Sequence, residues 1–328
     1  MVKIIAEVGS VHDGSFGNAK CLIAASINAG ADIVKFQLHI FDEESLPRAP
    51  NPPYFKNESR KDYFERTAFN ESQWIELKKY TEGFDKEFLV SPFSIAAVNF
   101  LEKIGVSSYK VPSGEISNIP LLERLAETKK TIILSSGMSS WTELDRAVNI
   151  FEKKCNLILM QCTSIYPCPP ERVGLNVIKE IDSRYSCVVG FSDHTLGYSA
   201  SIAAAAMGAK VIEKHVTFSK DMYGSDAPHS MDMFEFKLFC KNLKEIWKIL
   251  ESNVDKDEIS IYSNTKKIFE KSIVAAFEIS KNQTINSEML SFKKPGDGIP
   301  AKDYKELIGK KINKSVDSNH QFTWGDFE

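Results

Sequence analysis

The sequence has no long apolar run. None of its hydrophobic segments approaches the roughly 20 residues of a membrane span, and the opening MVKIIAEVGS is too short and too polar to read as a signal peptide. It has no excess of one charge either. Its 41 Lys and Arg stand against 44 Asp and Glu, for a formal net charge of −3. The basic residues form no extended run, so neither nucleic acid nor a membrane surface is expected as a partner. Cysteine is sparse: Cys21, Cys155, Cys162, Cys168, Cys187 and Cys240. None sits in a C-x-x-C pair and several lie inside apolar runs, so they are expected as reduced core thiols of a cytoplasmic protein. The first strand-like segment is not followed by G-x-G-x-x-G, the usual mark of an open dinucleotide-binding sheet. It also lacks the H-x-H with which metal-dependent hydrolase barrels of the amidohydrolase type open their ligand set.

What is present is an alternation. Short, β-branched apolar runs recur: KIIAEVG from Lys3, DIVKFQ from Asp32, EFLVSPF from Glu87, SYKVPSG from Ser108, TIILSSG from Thr131, LILMQCT from Leu157, CVVGFSD from Cys187 and KVIEKHVT from Lys210. Most are continuous rather than alternating, the pattern of parallel strands buried on both faces. Amphipathic or Ala-rich segments such as SWTELDRAVNIFEK and YSASIAAAAMGA lie between them and read as helices. Several end on Gly, a good C-cap residue. Eight strand–helix repeats in about 250 residues predict a closed (β/α)8 TIM barrel, an α/β fold, over residues 1–252. The longest insertion, from about Ile40 to Asn70 with RAPNPPYF inside it, is expected as a loop over the barrel mouth. Residues 253–270 are polar and read as a linker. Residues 271–328, with short strands and tight turns, read as a small, mixed, mainly β domain.

Barrel chemistry collects at the C-terminal strand ends. Reading those ends in order gives Glu7, Lys35 with Gln37, Ser91 with Phe93, Lys110 with Ser113 and Glu115, Ser135, Cys162 to Tyr166, Ser192 to His194, and His215. His194 and His215 end neighbouring strands, so their imidazoles can converge on a divalent metal such as Mn²⁺, Zn²⁺ or Fe²⁺. Lys35 and Lys110 lie inside apolar runs. A closed barrel has no edge to which they could turn, so they are expected to enter the polar mouth. With the neighbouring serines they form a cradle for an anion. Glu115 could balance that charge or ligate metal, and Glu7 could move a proton or pair with a lysine. These residues alone point to an anionic substrate, phosphate-bearing in the simplest case, beside a metal-polarised carbonyl. They leave both carbon–carbon bond formation and hydrolysis open.

The motifs AEVGSVHDGS, AGADIVKFQ, YKVPSGEISNIPLL, ILSSGMSS, CTSIYPCP, GFSDHTLGYSA and KVIEKHVT, in this order, resemble those of the sialic acid synthases and the wider nonulosonic acid synthase family. KSIVAAFEISKNQTI, KKPGDGIP and LIGKKI resemble the antifreeze-like SAF domain that these enzymes carry. The resemblance implies condensation of phosphoenolpyruvate with an N-acetylmannosamine-type aldose, giving a nine-carbon 2-keto-3-deoxy acid and phosphate. It implies that Lys35, Lys110, Ser113, Ser135, Ser164 and Ser192 hold phosphoenolpyruvate. Gln37, Ser91, Phe93, Glu115, Tyr166, Asp226 and Lys294 would line the sugar site. His194 and His215 would bind Mn²⁺, with Mg²⁺ or Co²⁺ as alternatives, beside Glu7. It also implies a homodimer in which each SAF domain covers the partner's active site.

The chain departs from the family pattern in three places: Ser164 where Asn is frequent, Ala227 and His229 after the eighth strand, and Lys294 where Arg is usual. The first shortens a phosphoenolpyruvate contact, and the last two leave the choice of sugar open, with a diacetamido sugar of the legionaminic or pseudaminic type as the alternative. A synthase of shorter keto acids would lack the appended domain, and a non-catalytic sugar-binding barrel would not need the lysines, histidines and Glu7 together.

Overall fold

The computed structural model describes residues 2–51 and 58–328. Eight strands run parallel in chain order: β1 (Lys3–Gly9), β2 (Ile33–Leu38), β3 (Glu87–Pro92), β4 (Ser108–Val111), β5 (Thr131–Ser135), β6 (Leu157–Cys162), β7 (Val188–Asp193) and β8 (Val211–Thr217). β8 pairs back onto β1, which closes the barrel. The expected (β/α)8 barrel is therefore the fold of the first unit, Met1–Ser252.

Side chains alternate across a strand with period two, and in a closed barrel one of the two sets must point inward. Ile5, Ile33, Leu89, Ile133, Met160 and Val211 pack together as one buried apolar layer inside the barrel. Two residues further along the same strands stand Glu7, Lys35, Ser91, Ser135, Cys162 and Glu213, all buried. The pleat thus sets a polar layer directly above an apolar plug. The other face of each strand feeds a larger apolar layer beneath the helices.

The helices follow from local chemistry. In the one spanning Trp141–Phe151, the Ser140 hydroxyl accepts from the Glu143 N–H and the Glu143 carboxylate accepts from the Ser140 N–H. This reciprocal cap satisfies two backbone donors that a helix start leaves free. Leu144, Ala147, Val148 and Phe151 recur at helical spacing and are the buried face. Asn70 and Asp232 cap the helices Glu71–Glu82 and Met233–Glu251 in the same way.

Three expectations change. The excursion after β2 is not simply a loop: it carries the short helix Phe41–Glu44 and the helix Arg60–Thr67, while residues 52–57 of RAPNPPYF lie outside the described residues. The polar segment 253–270 carries the helix Ser263–Phe269, whose side chains are largely exposed. The cysteines are all unpaired, but only Cys162, Cys168 and Cys240 are buried, and Cys21 is exposed on a helix. Among the described residues no helix is long and apolar enough to cross a membrane.

The second unit, Asn253–Glu328, has its own core of Ile273, Ile279, Ile285, Leu290, Ile299, Leu307, Ile312 and Phe322. The strands Ser272–Ala275 and Leu290–Lys293 pair antiparallel, and isolated bridges link the remaining turns. Asp326 is a polar hub of this unit. It accepts from the Thr323 N–H at 2.9 Å, from Lys314 Nζ at 2.6 Å and from His320 Nε2 at 3.0 Å.

Candidate active site

Register places the polar layer. Glu7 lies opposite Lys35 on one side and His215 on the other, and Ser192 lies opposite Glu213. Around them is a cavity of about 480 Å³, lined by the strand-end residues singled out from the sequence on the barrel unit except Thr163, Ile165 and Asp193; Asp193 turns instead to Lys214 and the Ser201 hydroxyl. At its floor Glu213 collects charge. Its Oε1 accepts from Lys35 at 2.9 Å, from Lys110 at 3.1 Å and from the Ser192 hydroxyl at 3.2 Å. Burial alone would raise the Glu213 carboxyl, but Lys110 and Lys35 outweigh it and hold the group well below the usual carboxylate range. Burial opposes charge on Lys35 too, yet Glu213 and Glu7 more than offset it. Lys110 is pushed down by burial and by Lys35, with Glu213 only partly compensating.

Glu7 receives the Gln37 amide on Oε1 at 2.6 Å and approaches Lys35 Nζ with Oε2 at 3.4 Å. Burial pushes its carboxyl up to about 7, against the pull of Lys35. Buried atoms without a hydrogen-bond partner here are Glu7 Oε2, Glu213 Oε2, Ser91 Oγ, Ser135 Oγ and His215 Nδ1. A buried polar group of this kind costs about 1–3 kcal/mol, so their clustering in one cavity marks a surface built to meet a polar ligand.

One wall is a cradle. A Cβ on Gly137 would sit 2.5 Å from both the Ser113 and the Ser164 hydroxyl oxygens. A side chain in the turn after β5 would force both serine hydroxyls to turn away. Opposite, Gly9 has φ +53, and a Cβ there would meet Asp226 Oδ2 at 2.6 Å. Glycine at the end of β1 therefore lets Asp226 come in beside Glu7 and Gln37.

His194 and His215 converge as expected, with ring centroids 5.7 Å apart and Tyr166 beside both. His194 Nδ1 donates to the Thr163 carbonyl at 2.8 Å, which leaves Nε2 as its open nitrogen. Burial opposes charge on both Cys162 and His194, yet each draws the other toward the ionised form; a metal at Nε2 would replace the second imidazole proton. Burial pushes His215 down to about 4, and its Nδ1 lies 4.0 Å from Asp226. Among the described residues, no set of three or more His, Cys, Asp or Glu side chains is arranged to hold an ion. Two imidazoles with the other positions open to water and substrate fit a catalytic rather than a structural metal.

Sequence reasoning missed Glu213, although VIEKHVT holds the signal: Glu213 is two residues from His215 and so shares its inward face. It also missed His39, Glu44, Arg60, Tyr63 and Phe64, which the β2 excursion brings to the cavity. His229 lines the cavity as well. Lys294 belongs to the second unit, where its ammonium lies 4.9 Å from the Phe269 ring centroid.

Comparison with known proteins gives this arrangement a family. The NeuB family profile matches residues 22–255, and the SAF domain profile matches residues 270–328. The N,N'-diacetyllegionaminic acid synthase of Campylobacter jejuni is 35% identical over 95% of this chain and 96% of its own. The human N-acetylneuraminate-9-phosphate synthase is 33% identical over 96% of this chain and 90% of its own. The crystal structure of an N-acetylneuraminic acid synthetase from Leptospira borgpetersenii superposes with a TM-score of 0.71 at 31% identity, covering 81% of this chain and 90% of that one. With both units and nearly the full length matched, this chain belongs to the NeuB family of synthases, a (β/α)8 barrel followed by a SAF domain.

Proposed function

We propose that the protein is a metal-dependent nonulosonic acid synthase that condenses phosphoenolpyruvate with an N-acetylmannosamine-type aldose and releases phosphate. The observation that carries this reading is the cavity floor, where two lysines share one carboxylate beside unpartnered serines and two open imidazoles. Lys35, Lys110, Ser135 and Ser192, with the Ser113–Gly137–Ser164 cradle, bind the carboxylate and phosphate of phosphoenolpyruvate. Ser164 offers a short hydroxyl where an asparagine side chain would reach further. Ser91, Phe93, Glu115, Tyr166 and Asp226 hold the open-chain sugar against them.

A divalent metal at His194 and His215, Mn²⁺ in first place, would supply Lewis-acid polarisation of the aldehyde. The enol carbon of phosphoenolpyruvate attacks that aldehyde carbon. The new alkoxide takes a proton, and Glu7 Oε2 is placed to move it; a carboxyl near 7 can give and take protons at neutral pH. The attack leaves positive charge on the adjacent carbon that bears the phosphate oxygen, and water adds to that carbon with loss of a proton. Phosphate leaves by C–O cleavage, and the 2-keto group forms. Lys35 and Lys110 balance the anion before and after the step.

The test is a single incubation with phosphoenolpyruvate carrying ¹⁸O in the bridging position, Mn²⁺ and N-acetylmannosamine. The expected products are phosphate retaining the label and a nine-carbon keto acid. No phosphate release, or unlabelled phosphate, defeats the reading. The Campylobacter relative favours a second candidate, a diacetamido-trideoxyhexose, to be run in parallel. We infer further that the protein works as a homodimer in which the SAF domain, through Lys294, meets the sugar bound by the partner subunit. A lysine presents one compact charge where arginine presents a fork, so it constrains the acylamino group less.

A further inference from the structure

Lys35, Gln37 and His39 follow each other at the period of a strand, so His39 continues the inward face of β2 beyond its end. Its ring is held between two aromatic faces. The Phe64 centroid is 3.9 Å away with planes 7° apart, and the Phe93 centroid is 4.0 Å away at 23°. Phe64 comes from the helix Arg60–Thr67 of the β2 excursion, and Phe93 from the end of β3. Stacking fixes the plane of the ring but not which nitrogen points where. Polar contacts do that: Nε2 is 3.1 Å from Gln37 Oε1 and Nδ1 is 2.7 Å from Glu44 Oε1. Glu44 is anchored in turn, its Oε2 accepting from the Ile40 N–H at 3.3 Å.

The direction of each bond follows from the far end. Gln37 meets Glu7 Oε1 at 2.6 Å. With Glu7 ionised, a reversed amide would set a carbonyl oxygen against a carboxylate oxygen at that distance, so the amide N–H2 faces the ionised carboxylate. Gln37 Oε1 then faces His39 and needs a donor, which only Nε2–H supplies. The remaining nitrogen shares a proton with the Glu44 carboxyl. While Glu7 is ionised, Nε2 is the donor whichever partner holds that proton. The His39 side chain is 14% exposed and that of Glu44 9%, so water competes little for these bonds.

We propose that the His39–Glu44 pair is a positioning device for Glu7, acting through the amide of Gln37, with Phe64 and Phe93 as its walls. Without it the Gln37 amide is free to turn over. One oxygen of Glu7 then loses its donor, and Oε2 is no longer held toward the reacting atoms. The device also links the β2 excursion to the carboxylate, since one wall stands on that excursion. This inference rests on the role given to Glu7 above.

The test uses the full chain and a double-mutant cycle. His39→Phe keeps an aromatic ring in the sandwich and removes both polar contacts. His39→Gln restores a donor near the place of Nε2. His39→Phe is expected to lower kcat about 10–100-fold, the range for partners that orient reacting groups, with KM for phosphoenolpyruvate within about threefold. Glu44→Ala should follow the same pattern more weakly, and His39→Gln should recover part of the loss. In a Gln37→Ala background His39→Phe should cost less than about threefold, because the two act in series. A full kcat in His39→Phe, or an undiminished loss in the Gln37→Ala background, overturns the proposal. If the wild type turns over neither sugar, the functional reading fails on its own. A crystal structure of His39→Phe then decides the positioning role: a Gln37–Glu7 bond opened or reversed supports it, and an unchanged bond overturns it.

Discussion

His194 has a carbonyl to fix its tautomer, whereas His215 has a buried nitrogen with no partner. Either ring alone offers a metal a single ligand. His194→Ala and His215→Ala are each expected to lower phosphate release by at least about a hundredfold, and Mn²⁺ affinity measured by calorimetry should fall with it. Full activity of either variant, or of wild type in excess chelator, removes the metal. Glu213 makes a different kind of prediction. Glu213→Gln leaves two buried ammonium groups without their shared counter-charge, and breaking a buried pair costs about 3–5 kcal/mol. A lowered melting temperature is expected, part of which inorganic phosphate restores by binding the exposed charge. If phosphate stabilises wild type and variant equally, Lys35 and Lys110 are not the anion site. At this scale the strand-borne residues could be read from the sequence because period two and barrel closure leave a lysine such as Lys35 nowhere else to go. Lys214 bounds that rule: it points outward, yet is buried, donating to Thr195 and Gly197 carbonyls. Arg60 and Phe64 could not be read, since nothing in the sequence of the excursion carrying them fixes which way it faces the barrel, whereas His39, two residues past Gln37, carried the strand's own signal.

The strands were legible because continuous apolar runs of four to seven residues bounded by Gly, Ser and Asp have few other readings. The helix Asn176–Arg184 was harder to see. It has nine residues, and Leu175 before it offers no side-chain cap. The two helices of the β2 excursion are short, and the sequence between them is rich in proline. The turn after β5 carries the prediction of this scale. Gly137→Ala places a methyl against the Ser113 and Ser164 hydroxyls and forces them to turn. It is expected to raise KM for phosphoenolpyruvate about tenfold or more, with little change in melting temperature, because the clash lies in the cavity rather than in the core. An unchanged KM would take the cradle out of the binding site.

Two units with separate cores predict separable failures. Deleting residues 272–328 should leave a folded barrel with severely reduced activity. Mixing a His215→Ala chain with a Lys294→Ala chain should restore part of the activity if the SAF domain serves the partner subunit. No recovery in demonstrated heterodimers would place its action within one chain. The second unit also carries its own acid sensitivity. Burial would raise the Asp326 carboxyl, but Lys314, the Thr323 N–H and His320 bring it down to about 2. A carboxylate depressed in the folded state lends stability at neutral pH and loses it as the pH falls toward that value. Over roughly pH 4 to 2 this unit should lose about 2 kcal/mol, seen as faster hydrogen exchange in peptides from 272–328 than in the barrel. Asp326→Asn should lower stability at pH 7 and flatten that acid dependence. Equal loss of protection in both units would mean that Asp326 does not set it.

The barrel's polar layer and its apolar plug are the same strands read two residues apart. Deleting one residue from β1 or β8 would turn catalytic and structural side chains outward together, so mutation cannot try new chemistry on a strand without gambling the fold. Change is cheap only in the segments beyond the strands, where Ser164, His229 and the residues of the β2 excursion stand. Under the proposed function, the lysines that hold the anion sit on the strands and most residues assigned to the sugar stand beyond them, an arrangement in which lineages can diverge in what they make while hardly altering how they make it.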